Sequence, residues 1–363
     1  MMVQEGASLV DERLVSRVGR YRRFYTSKRS GDLLIVVRPG WVTKKNLFQY
    51  DFAKDGHLEM AADMLESAAG MLENSADLDD DLIPWLVPDL GIAIHHTFLM
   101  DMPVQFAEWT SWAEHPLSGE RGYERMESLR YDPANRWVRV FREMHEYWRE
   151  HGRGRCLAIT HQHYSPLDLA NALRGNELFV DFYDRPDEVH QLLSACTEAI
   201  AAFEEDLRPV VGERMEKIGV PFWGAMAPCG SVFVSEDVMD LVGPELASEF
   251  GLPWTRKLQQ RFGTLTVHHH MLGRKVHRVV GQETHHSLVQ VTNDPNCPPA
   301  MACVAELAEA SGDNALMLDC SAEEILSNLD ELKKIRAVLI CNCQDRELAR
   351  RVVQEVRGIS NIQ

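Results

Sequence analysis

Three pairs of metal-ligating side chains recur at two-residue spacing in this sequence: His161-Gln162-His163, His268-His269-His270 and Cys341-Asn342-Cys343. Each ends or follows a short apolar run, and alternation along a strand sends residues i and i+2 to one face. Two imidazoles on one face, joined by a thiolate from another strand, make a three-ligand site with an open position. That is the arrangement of a catalytic zinc rather than a structural one. The spacing therefore points to a metal held by His268, His270 and Cys343, with His161 and His163 orienting substrate or relaying protons. Plainer roles compete. A strand-end histidine is commonly just a hydrogen-bonded polar residue, and a cysteine in AVLIC is commonly a small core hydrophobe. Without a metal, His161, His163, His268 and His270 would act as acid/base or anion-binding groups.

Other residues fall at the same strand ends. Asp237 opens a helical stretch and is a candidate catalytic carboxylate, with a helix cap as its simpler role. Trp223, before the PCG turn at Pro228-Cys229-Gly230, and Asn293 and Asp294 in VTNDPNCPP are candidate substrate contacts. His95 joins them; its neighbour His96 must face the other way. Asp319 and Cys320 follow the seventh run at the same rim, and Trp85 could line the pocket or simply pack.

The elements that would position these groups are eight apolar or β-branched runs: LLIVV (33–37), GIAIH (91–95), RCLAITH (155–161), GVPFWGA (219–225), GTLTVHH (263–269), HSLVQVT (286–292), ALML (315–318) and AVLIC (337–341). Amphipathic stretches lie between them, as in HLEMAADMLESAAGML (57–72), PDEVHQLLSACTEAIAAFEEDL (186–207) and AEEILSNLDELKKI (322–335). Strands alternating with helices imply parallel pairing and right-handed crossovers. Eight of them predict a single (β/α)8 TIM barrel over residues 31–363, with its site at the C-terminal strand ends. A doubly wound open sheet is the alternative, although no GxGxxG follows an early strand. Residues 1–30 read as an N-terminal helical extension. Its apolar positions Val10, Leu14, Val18 and Tyr21 would cap the barrel, while its arginines, Arg17 and Arg20 among them, form a solvated face. ENSADLDDD (73–81) likewise reads as a solvated acidic loop.

Composition narrows the function classes. The chain has 363 residues and a formal net charge of −17, which argues against nucleic-acid binding, since that needs Lys and Arg against phosphates. No run approaches the roughly 20 apolar residues that would cross a membrane. The N-terminal stretch has no apolar segment followed by a small-residue cleavage site. A cytoplasmic location is expected. There the eight cysteines would be free thiols rather than a disulfide framework. No CxxC pair occurs to build a zinc ribbon.

Several segments together resemble the uroporphyrinogen decarboxylase superfamily, which includes zinc-dependent corrinoid methyltransferases. They are SPLDLANALRGNELFVDFYDRPDEVHQLL (165–193), SEDVMDLVGPELASEFGLPWTRKLQQRFGTLTVHHHMLG (235–273), and PWLVPDLGIAIHHTFL with WTSWAEHP after it. The resemblance runs from about Leu33 to Val356 and implies one TIM barrel. The decarboxylases carry RQAGRY just after the first strand; here RVGRY (17–21) only echoes it, and lies before that strand. The methyltransferase branch holds zinc through His-x-Cys and a distant Cys, which map onto His268, His270 and Cys343, with imidazole replacing the middle thiolate. The resemblance thus implies transfer of a methyl group between a small substrate and a corrinoid carried by a partner protein, with a homodimer as the expected assembly. The alternatives are a cofactor-free decarboxylase or lyase acting on a carboxylated small molecule, and a non-catalytic corrinoid-binding barrel.

Overall fold

Six of the eight runs form parallel strands at the predicted places, because β-branched stretches buried on both faces favour parallel pairing. The computed structural model describes residues 11–38, 45–100, 102–152 and 154–363; Val10 lies outside them. The main strands are β1 (Leu33–Arg38), β2 (Trp85–Leu86), β3 (Leu157–Ala158), β4 (His163–Tyr164), β5 (Val232–Ser235), β6 (Leu265–His270), β7 (Leu288–Thr292), β8 (Ala315–Cys320) and β9 (Ala337–Asn342). Seven of them form one parallel sheet in the order β1-β9-β8-β7-β6-β5-β4, and β2 pairs in parallel with β3. Helices separate most consecutive strands, among them Gly56–Asn74, Pro186–Val211 and Arg346–Ile359. Among the described residues no helix is long and apolar enough to cross a membrane.

Two runs are not sheet strands. GIAIH enters a short helix, Ile94–Thr97, and the strand of that region is Trp85–Leu86 instead. GVPFWGA forms an antiparallel hairpin of Val220–Phe222 with Ala225–Ala227. Its two-residue loop is Trp223-Gly224, with φ of +44° and +87°, the left-handed pair that a type I′ turn requires. A side chain at Gly224 would lie 2.9 Å from Leu82 Cδ1, so glycine is needed for space as well as for φ. The following segment, Val232–Ser235, takes the sheet position.

Alternation divides the side chains of the sheet. Leu34 and Val36 of β1 share a core with Trp85, Phe222, Met317, Val338 and Ile340. Leu33, Ile35 and Val37 pack instead with Leu318, Leu339, Cys341, Val352 and Val356. The first face is the inner one; the second is covered by helices.

The N-terminal helix and the acidic loop are not the solvated surfaces expected of them. The helix Glu12–Ser27 buries Leu14, Val18 and Tyr21, but also Arg17 and Arg20. Arg17 meets Asp80 at 2.6 Å and Arg20 meets Asp81 at 2.6 Å. Both aspartates reach the free edge of β1: Ile35 N donates to Asp81 Oδ2 at 2.8 Å, and Val37 N to Asp80 Oδ2 at 3.2 Å. The cause is a strand edge that has no neighbouring strand among the described residues. Its buried N–H groups need acceptors, and buried carboxylates in turn need cations. RVGRY is a structural brace.

Candidate functional site

Strand β6 leaves three histidines at its C-terminal end. His268 and His270 project to the inner face with Gln290 of β7 and Asp319 of β8, while His269 points outward to His277, 2.7 Å away. The turn after β5 brings Asp237 alongside. That turn is fixed from outside, since both oxygens of the buried Asp168 accept backbone N–H bonds, from Asp237 at 2.9 Å and Val238 at 2.8 Å. Asp168 is itself placed by Ser165, which caps the helix Pro166–Arg174. Ser235 Oγ donates to Asp237 Oδ1 at 2.9 Å and sets the carboxylate's direction.

Three ligand atoms converge. His268 Nε2 and His270 Nε2 are 3.1 Å apart, and Asp237 Oδ1 lies 3.6 Å from the first and 3.4 Å from the second. Ligands about 2.0–2.1 Å from a tetrahedral zinc are separated by about 3.4 Å, so the triangle has the size of a zinc-ligand face. The far sides of both rings are already engaged. His270 Nδ1 donates to Asp294 Oδ1 at 2.8 Å, and His268 Nδ1 to Gln290 Oε1 at 2.8 Å. The Gln290 amide is oriented by its own donation to Asp319 Oδ2 at 2.7 Å, and Asp319 in turn pairs with Arg38. With each Nδ1 carrying the proton, two Nε2 lone pairs face one another. A cation or an extra proton must lie between them. Such outer hydrogen bonds are what metal-ligating histidines use to fix tautomer and orientation.

The charges respond to this crowding. The Asp237 bond, against burial and with help from Asp294, raises the pKa of His270 to about 9. Burial pushes the pKa of His268 below its ordinary value, with Asp237 opposing. Burial would also raise Asp237, but His270, His268 and Ser235 outweigh it and hold the carboxyl below the usual range. Burial drives Asp168 well above that range, with Asp237 and Glu236 reinforcing the rise.

Other predicted site residues divide clearly. Trp223 lies edge-to-face with His268, 5.2 Å between ring centroids, and forms a wall of a cavity of about 380 Å³. Asp294 serves His270 rather than an open pocket. Asn293 is structural, donating to Asp319 O at 3.1 Å and accepting from Ala300 N at 2.7 Å. Cys343 does not join the cluster. It shares the outer face with Cys341, and its Sγ meets Asp345 O at 3.3 Å. The i, i+2 rule holds for Cys341 and Cys343, but the parity of β9 turns both toward the helices, and the group that could hold a metal takes Asp237 as its third member instead.

The pair His161 and His163 is also turned outward. His163 Nε2 bonds Glu204 Oε1 of the helix Pro186–Val211 at 2.9 Å, and His161 Nε2 lies 2.8 Å from His95 Nδ1, among Phe141 and Phe203. Burial forces the pKa of His161 far down and that of His95 to about 3. Burial opposes charge on Glu204, but His163, Arg208 and Thr160 keep its carboxyl below its ordinary value. Gln162 takes the inward position and lines the cavity. Gln290 and Asp168 were unmarked by sequence reasoning. A lone polar residue inside HSLVQVT and the Ser-x-x-Asp spacing of SPLD were the available signals.

Over 94% of this chain and 98% of the other, the fold is similar to that of a methyltransferase from Methanosarcina mazei, with a TM-score of 0.60 and 13% identity. The likeness is one of fold. No protein-family description and no characterised protein matches the sequence itself.

Proposed function

We propose that this chain is a zinc-dependent methyltransferase built on a (β/α)8 barrel, passing a methyl group between a small substrate and a corrinoid carried by a partner protein. Closure of the barrel is supported by the chain continuity of β3 into β4 and by the aspartates that bridge the free edge of β1. The observation that carries the reading is the triangle of His268 Nε2, His270 Nε2 and Asp237 Oδ1, with sides of 3.1, 3.4 and 3.6 Å, at the strand ends where such barrels keep their sites. Zinc held there would act as a Lewis acid and favour the deprotonated form of a methyl acceptor such as a thiol. The chain's own groups do the rest. Gln290 and Asp294 hold both imidazoles in the tautomer that presents Nε2, Ser235 and Asp168 aim Asp237, and Trp223 keeps water from one side of His268.

A second reading, a metal-free lyase acting on a carboxylated molecule, is favoured by one observation: beside Asp237 and Asp294, His270 would be an imidazolium able to donate a proton. Chelation separates the two. Protein purified without chelator is expected to hold about one zinc per chain. It should also transfer methyl between methylcobalamin and a thiol, and His268→Ala/His270→Ala should abolish both. Metal-free protein whose activity survives chelation would overturn the methyltransferase reading in favour of the lyase.

A further inference from the structure

Behind Trp223, the cavity of about 380 Å³ has a composition that the ligand triangle does not explain. Three indoles, Trp85, Trp109 and Trp223, line it together with the ring of Tyr50. The acidic side chains Asp63, Asp89 and Glu108 line it too, against one ammonium among the described residues, Lys45. Lys45 is already paired with Glu59 and lies 5.4 Å from the centre of the Tyr50 ring. Asp63 accepts from Tyr50 Oη at 2.9 Å. Asp89 differs: its side chain is exposed toward the cavity, and its hydrogen bond among the described residues comes from Gly91 N at 3.3 Å. Desolvation by the surrounding protein raises its pKa, with the Gly91 N–H bond opposing.

These walls select among ligands. Aromatic faces carry negative potential and attract cations. An inorganic cation seeks several oxygen ligands and gains little from indoles. A carboxylated substrate would meet Asp89 and Glu108 as like charges. A weakly hydrated organic cation satisfies both features, with its methyl groups against the rings and its charge beside a carboxylate. We infer that this cavity binds a small methylated ammonium, held by Trp85, Trp109 and Trp223 and charge-balanced by Asp89. Treating that cation as the substrate rests on the methyltransferase reading, because Trp223 joins the cavity to His268; binding alone does not.

The test compares choline with its neutral carbon isostere, 3,3-dimethylbutan-1-ol, by calorimetry and tryptophan fluorescence. Choline should bind at least about tenfold more tightly than the isostere. Asp89→Asn should bring that ratio below about tenfold, and Trp109→Ala, an exposed position at which folding is least at risk, should weaken choline more than the isostere. Both variants should keep their zinc, and His268→Ala/His270→Ala should bind choline as the native chain does. Failure of the zinc reading is therefore visible separately from failure of this one. A ratio below about tenfold in the native protein, or one that remains above about tenfold in Asp89→Asn, overturns the proposal.

Discussion

The chain carries the same His-x-His pattern at two places on one sheet, the C-terminal end of β6 and the start of β4, and the two pairs have opposite fates. At β6 the outer residues of the triplet, His268 and His270, face inward beside Asp237, and the middle one is packed away against His277. At β4 the parity is reversed. His163 is buried against Glu204 and His161 among phenylalanines, while the middle residue, Gln162, reaches the cavity. Cys341 and Cys343 follow the second case. Spacing establishes that two side chains share a face. Which face depends on the register of the whole strand, one residue of which inverts everything.

The sharpest way to break this contrast is to remove each pair. Loss of His268 and His270 should abolish zinc binding while leaving the fold intact. By contrast, His163→Ala takes one of three partners from the buried Glu204 carboxylate, leaving Arg208 and Thr160, and should destabilise the chain by about 1–3 kcal/mol, with zinc retained. Urea unfolding and metal analysis on the same samples check this. A stable His163→Ala protein lacking zinc would reverse the assignment.

A smaller effect distinguishes an organised site from an accidental one. Zinc must displace the proton on His270, whose pKa is raised to about 9, so affinity should fall about tenfold per pH unit below that value, one proton being released per metal. Without metal the sign is the usual one for a raised histidine. The stabilisation is complete below about 6.5, the unfolded value, and is lost as pH rises through about 9. Asp294→Asn should lower zinc affinity by about 10–100-fold and shift the break to lower pH, as read by competition with a chromogenic chelator. An unchanged profile would mean that Asp294 does not orient His270.

Much of the fold was legible because long β-branched runs such as LLIVV and AVLIC have few alternatives to a buried parallel strand. Two runs misled for identifiable reasons. Trp223-Gly224 turns GVPFWGA back on itself, and the short strands Trp85–Leu86 and Val232–Ser235 carry little periodicity of their own. The site was half legible. The pair at β6 and the acid at 237 stand in the sequence as chemistry-bearing residues, but their union requires Asp168, 69 residues before Asp237, to fasten the turn. Arg17 and Arg20 with Asp80 and Asp81 show the same limit. Each charged run alone looks solvated, and only the unpaired edge of β1 explains why both are buried.

The zinc K-edge absorption spectrum of the native protein tests the ligand set most directly. We expect a shell of nitrogen and oxygen at about 2.0–2.1 Å containing two imidazoles and no sulfur. A zinc–sulfur distance of about 2.3 Å would place Cys343 or another thiol on the metal and contradict the triangle of His268, His270 and Asp237.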